Sequence, residues 1–169
     1  MEGCDRMFQV GENVFYGVHG VCEITAIEKQ KVSMQIAEYY VLKPLNASDT
    51  RFFVPVKNEL AVKKMHPLIH KDELSSLLKA SYKDVWIKDE NQRKQRYKEL
   101  IVSSDRYAIY NMVCTIDRKK KLPAEVGKKI HQCDENFLKD AMKLLVSEVC
   151  IVMDLSPEDA EKLILNSLK

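Results

Sequence analysis

The sequence predicts an α+β chain: a small antiparallel SH3- or Tudor-like β barrel over residues 1–67, followed by an all-α bundle of about five helices over 68–169. Three observations predict it. Before Pro67 apolar residues recur at period two in short runs, and after it they recur at helical spacing. Turn chemistry is gathered in the first part, in Gly11, Gly17, Gly20 and Asn46-Ala-Ser-Asp. Hydrophobic residues make up 46% of 169, enough for packed cores and far from a disordered composition.

The first strand holds Val14 and Tyr16 on one face, and the second holds Cys22, Ile24 and Ala26 against Glu23 and Thr25. Gly17 and Gly20 stand between them, where a tight turn needs positive φ. Residues 32–36 alternate apolar and polar as a further strand. Tyr39-Tyr-Val-Leu is a run of β-formers closed by Pro44. Phe52-Phe-Val-Pro-Val follows, with Pro55 pointing to an edge or a bulge, and a short last strand falls within 60–65.

Beyond Pro67, residues 71–80 place Leu74, Leu77 and Leu78 on one helical face. Residues 89–103 turn Tyr97, Leu100 and Ile101 inward. Residues 105–118 carry Ile109, Met112, Val113 and Ile116, and the run Arg118-Lys-Lys-Lys suits the negative end of that helix dipole. Residues 122–129 read as a separate short piece. The longest apolar helix spans 136–153, with Phe137, Leu138, Ala141, Leu144, Leu145, Val149 and Val152. Ser156-Pro-Glu-Asp starts the last helix with a hydroxyl cap, a proline in the first turn and acids behind it.

Composition narrows the function classes. No apolar run reaches the ~18 residues of a membrane span, and Met-Glu-Gly-Cys-Asp-Arg shows no signal-peptide pattern, so the reading is a soluble, cytoplasmic protein. The five cysteines are scattered without a Cys-x-x-Cys, which predicts reduced thiols and no zinc site. His66 and His70 have Pro67 between them, so no helix face presents both to a metal. His131 and Cys133, at i and i+2, point apart on a helix. The glycines are followed by a strand and by no Lys-Ser/Thr, so they form no phosphate cradle. No enzyme, metal or cofactor is predicted. Tyr16, Tyr39, Tyr40, Phe52 and Phe53 offer material for an aromatic cage, but their alternation places them in packing instead.

Charge is uneven. Residues 1–70 are balanced, 71–121 carry thirteen Lys and Arg against eight Asp and Glu, and 122–169 are acidic, leaving +2 overall. Arg93, Lys94, Arg96 and Lys98 fall within six residues, with Tyr97 among them. Cations on one exposed helix face release counterions from phosphates and give sequence-independent affinity. Trp86, the single tryptophan, lies just before them, and a bulky apolar side chain there suits either a core or hinge position or a minor-groove wedge.

Phe8-Gln-Val-Gly-Glu-Asn-Val-Phe-Tyr, His19-Gly-Val, Tyr39-Tyr-Val-Leu, Val54-Pro-Val, Lys94-Gln-Arg-Tyr-Lys and the stretch 138–149 with Ala141, Leu145 and Glu148 resemble the CarD/CdnL family of bacterial transcription regulators. The resemblance implies a Tudor-like domain that binds the RNA polymerase β subunit largely by strand addition, and a helical domain that contacts promoter DNA at the upstream edge of the bubble. It implies an effect on open-complex lifetime and a location on the nucleoid through polymerase. The positions it implies for polymerase are Gln30, Arg51 and Phe53, and for largely sequence-nonspecific DNA contact Trp86, Arg93, Lys94, Arg96 and Lys98. The chain departs from the family pattern: the wedge tryptophan of relatives directly precedes the Lys-Gln-Arg-Tyr-Lys motif, whereas Arg93 stands there here. Trp86 comes seven residues earlier, about two helical turns, which leaves three readings open: a face shared with Arg93, a replacement wedge, or no wedge at all. Gly17 replaces the usual proline. The alternative is a polymerase-binding or protein–protein adaptor without DNA contact; on either reading the chain is a monomer or a domain-swapped dimer.

Overall fold

The computed structural model describes residues 8–47, 49–80, 82, 85–122 and 130–168. The chain divides into two compact units, Met1–Leu68 and Ile69–Lys169. Cys4 and most of the short piece expected at 122–129 lie outside the described residues.

The first unit is a five-stranded antiparallel sheet: β1 (Asn13–Tyr16), β2 (Val21–Val32), β3 (Gln35–Pro44), β4 (Phe52–Pro55) and β5 (Met65–Pro67), in spatial order β4-β3-β2-β1-β5. A short helix, α1 (Glu59–Val62), capped by Asn58, precedes β5 where the sequence predicted only strand. Val14, Cys22, Ile24, Tyr40, Leu42 and Val54 line one face of the sheet and form the core with Phe8, Val62 and Met65. Each large side chain sealed there contributes about 1.5–3 kcal/mol. Gly17 and Gly20 take positive φ, as expected, around the 3-10 turn that joins β1 to β2.

Two local expectations are corrected. Residues 32–36 are not a strand of their own: Ser33 and Met34, at φ 48° and 69°, make the two-residue turn between β2 and β3. Positive φ at both central positions is the type I′ hairpin geometry, which follows the twist of the flanking strands. Ala26 does not share a face with Ile24. Ile24 pairs with Leu42 and Ala26 with Val41, so Thr25 is an extra residue in a β-bulge, and its hydroxyl donates to the Val41 carbonyl at 3.3 Å.

The second unit contains α2 (Lys71–Lys79), α3 (Glu90–Ser103), α4 (Arg106–Lys121), α5 (Gln132–Met153) and α6 (Pro157–Ser167). Asp89, Asp105 and Ser156 cap α3, α4 and α6 by accepting the N–H three residues on. α5 begins four residues before the expected Asn136 and packs against each of the other four helices. Its buried row, Asp134, Ala141, Leu144, Leu145, Glu148 and Val149, holds two carboxylates. Glu148 accepts the Ile69 N–H at 2.8 Å and pairs with Arg106 at 3.4 Å. Among the described residues, no helix is long and apolar enough to cross a membrane, and no group of three His, Cys, Asp or Glu is placed to hold a metal.

Candidate functional site

In the first unit β4 is the terminal strand, and its backbone phase decides what it offers. The Val56 N–H donates to the Glu38 carbonyl at 2.9 Å. Antiparallel alternation then makes Val54–Tyr40 the next hydrogen-bonded pair, with Phe53–Val41 and Pro55–Tyr39 between bonded pairs. The N–H and C=O of Phe53 therefore turn to the open side of the sheet. Pro55 also falls at an outward position, where its missing N–H costs the ladder nothing, as expected of an edge.

Phe53 is 45% exposed, and Arg51 beside it is exposed. Behind the edge, Phe52 stacks on His19 with centroids 3.8 Å apart, and His19 stacks on Tyr16 at 5.7 Å. Burial in this stack lowers the His19 pKa, so a neutral imidazole is favoured. Tyr16 and Phe52 spend their faces on His19, and Tyr40 is sealed in the core, which is packing and not a cage.

Arg51 and Phe53 thus come together on one edge. Gln30 does not join them. It pairs with Ala37 on the β2–β3 ribbon, four residues along β3 from Val41, about 13 Å at the usual strand rise.

In the second unit the expected cationic face is divided. Arg93 is not on it. The residue lies four places before Tyr97 on the inward row of α3 and is 2% exposed. Its Nε and one Nη donate to the two Asp134 carboxylate oxygens at 2.8 Å each, and the other Nη donates to the Ile87 carbonyl at 2.8 Å and the Lys88 carbonyl at 3.4 Å. The bond to Asp134 raises the Arg93 pKa against the opposing effect of burial. Lys94 is half-buried and held by Glu90 at 2.9 Å; that hydrogen bond lowers the Glu90 pKa and raises that of Lys94. Arg96 is exposed and 4.0 Å from Glu99, and Lys98 is exposed.

Trp86 is half-buried in the segment before α3, which is not helical there. It meets Arg93 all the same, with the guanidinium carbon 4.4 Å from the ring centroid. The meeting comes from the chain folding back onto α3, not from two turns of one helix. The Lys119 ammonium, from the last turn of α4, is 5.5 Å from the same ring. Arg118 donates to the Tyr82 carbonyl and fixes the start of that segment to α4.

Sequence reasoning missed Asp134, Arg118 and Lys119 as parts of this site. The basic run at 118–121 was visible but explained by the helix dipole alone. The inward place of Arg93 was readable from its spacing to Tyr97 and Leu100; nothing local marked Asp134, 41 residues away.

Residues 8–68 match the family model of the CarD-like/TRCF RID domain. No curated protein matches the chain.

Proposed function

We propose that this chain, whose residues 8–68 match the CarD-like/TRCF RID domain model, is an RNA polymerase-interacting, transcription-related protein that binds the polymerase β subunit through the open edge of β4 and touches promoter DNA through the Trp86 region. It acts in the bacterial cytoplasm on the nucleoid, as a regulator and not as an enzyme. The single observation that carries the reading is the β4 edge within the matched domain: outward backbone groups at Phe53, flanked by the exposed Arg51 and the Phe53 ring. An extended partner segment adds there as a strand, with backbone bonds giving affinity and side chains giving selectivity.

On the DNA side, Lys94, Arg96 and Lys98 meet phosphates while Trp86 faces a distorted base step. A protein that binds the melted promoter better than the closed one shifts that equilibrium by its differential affinity alone. Open-complex lifetime on a holoenzyme–promoter complex tests this. The full chain alters the lifetime, and charge reversal at Lys94, Arg96 and Lys98 removes the effect while binding to β persists. An unaltered lifetime in every case rejects the DNA half.

A second reading is favoured by one specific observation: of the four clustered cations, Arg93 is buried and Lys94 and Arg96 have acidic partners. That is the adaptor, bound to polymerase without DNA contact. Footprinting of the full chain on the promoter complex separates the two, since only the first protects DNA upstream of the bubble.

A further inference from the structure

Arg93 has no freedom to reach a phosphate. Its fork makes four hydrogen bonds from a group with five N–H donors: two to Asp134 and two to the carbonyls of Ile87 and Lys88. Asp134 is 1% exposed, so an arginine that swung away would leave a buried carboxylate uncompensated. The same guanidinium plane lies 4.4 Å from the Trp86 ring centroid, within range of a cation–π contact. The two carbonyls it holds belong to the residues immediately after Trp86. One side chain therefore fixes both the indole and the backbone that presents it.

Asp134 is in turn fixed in the first turn of α5, where its own N–H donates to the His131 carbonyl and the helix dipole favours its charge. The result is a relay across the second unit: α5 holds Asp134, Asp134 holds Arg93, and Arg93 holds Trp86.

We infer that Arg93 is a positioning residue: anchored on Asp134, its guanidinium holds Trp86 in the pose from which the indole meets DNA, and Arg93 itself makes no contact with the duplex. This rests on the reading of Trp86 as the DNA-facing residue. Lysine does not replace arginine here, because a point charge lacks the planar fork that serves a carboxylate, two carbonyls and a ring at once.

Trp86 is the only tryptophan, so the fluorescence of the full chain reports this contact directly. Arg93→Lys tests the fork with charge kept. Arg93→Met/Asp134→Leu removes both charges together, leaves no buried unpaired ion and keeps the test valid if the single variant fails to fold. With circular dichroism unchanged, both variants are expected to raise acrylamide quenching of Trp86 on the order of two- to fivefold, the population shift that loss of a partly exposed cation–π contact allows. Their effect on open-complex lifetime is expected to fall to that of Trp86→Ala. Unchanged quenching overturns the positioning role, as does a wild-type lifetime effect in a double variant where Trp86→Ala has lost it. If quenching changes but Trp86→Ala leaves the lifetime untouched, the positioning of the ring stands and the DNA role of Trp86 fails.

Discussion

Phe53 lies directly across from Val41 in a non-hydrogen-bonded pair, so its own N–H and C=O face away from the sheet while its neighbours Phe52 and Val54 carry the ladder. This phase makes β4 a strand with one used edge and one offered edge, and it permits a substitution that touches only the second.

Phe53→Pro deletes the outward N–H without removing any bond to β3. Relative to Phe53→Ala, binding to the β subunit is expected to weaken about tenfold, the value of one hydrogen bond of roughly 1 kcal/mol or slightly more. The melting temperature should stay close to that of the wild type. Phe53→Ala, which keeps the N–H, separates the ring's contribution from the backbone's. Equal affinities of Phe53→Pro and Phe53→Ala would show that the outward N–H makes no bond to the partner, against strand addition at this edge.

The acidic partners on α3 restrain its cations. Glu90 holds Lys94 at 2.9 Å, and Glu99 stands 4.0 Å from Arg96. Glu90→Gln and Glu99→Gln are therefore expected to raise affinity for duplex DNA at low salt and to steepen its salt dependence. Lys98→Ala is expected to shallow the slope of log K against log salt by about 0.9, one phosphate contact. Titration by fluorescence anisotropy at several salt concentrations measures both, and a slope indifferent to all three changes favours the adaptor.

Glu148 is the second buried acid of the α5 row, beside Asp134. Glu148→Ala removes the acceptor of the Ile69 N–H and the carboxylate that faces Arg106, at an expected cost of about 3–5 kcal/mol. Burial raises the Glu148 pKa above 4.5 despite the opposing pull of Arg106. An acid raised in the folded state adds stability that is complete below its unfolded value and is lost as pH rises through the folded value. Between neutrality and 4.5, acidification therefore supplies a stabilising contribution from this group, one that Glu148→Gln lacks. Urea midpoints across that range, wild type against Glu148→Gln, detect it as a difference in slope.

Ser33 and Met34 occupy left-handed backbone without the residues that favour it. Replacing them with Asn-Gly, the preferred pair for a type I′ turn, is expected to stabilise the β unit by about 0.5–1 kcal/mol. Removal of Met34, 92% exposed, costs no packing in return. Thermal unfolding that falls instead of rising would contradict the type I′ assignment of this turn.

The fold was legible where periodicity and punctuation agree. Leu74, Leu77 and Leu78, the Ser156-Pro start of α6 and the glycines around the first turn all read correctly, because each depends on residues a few places apart. The bulge at Thr25 was hidden, since alternation alone gives no sign that one residue drops out of register. The turn at Ser33-Met34 was hidden because neither residue is typical of positive φ. On the site, the edge character of β4 was readable from Pro55. The burial of Arg93 depended on Asp134, a partner supplied by a different helix, and charge type alone sent it to the wrong side of α3.

The most direct measurement is equilibrium binding of the fluorescently labelled full chain to purified RNA polymerase holoenzyme at low ionic strength. The account predicts saturable binding that excess isolated β subunit competes away and that Phe53→Pro weakens. Absence of saturable binding, or binding that the β subunit does not compete, would contradict it.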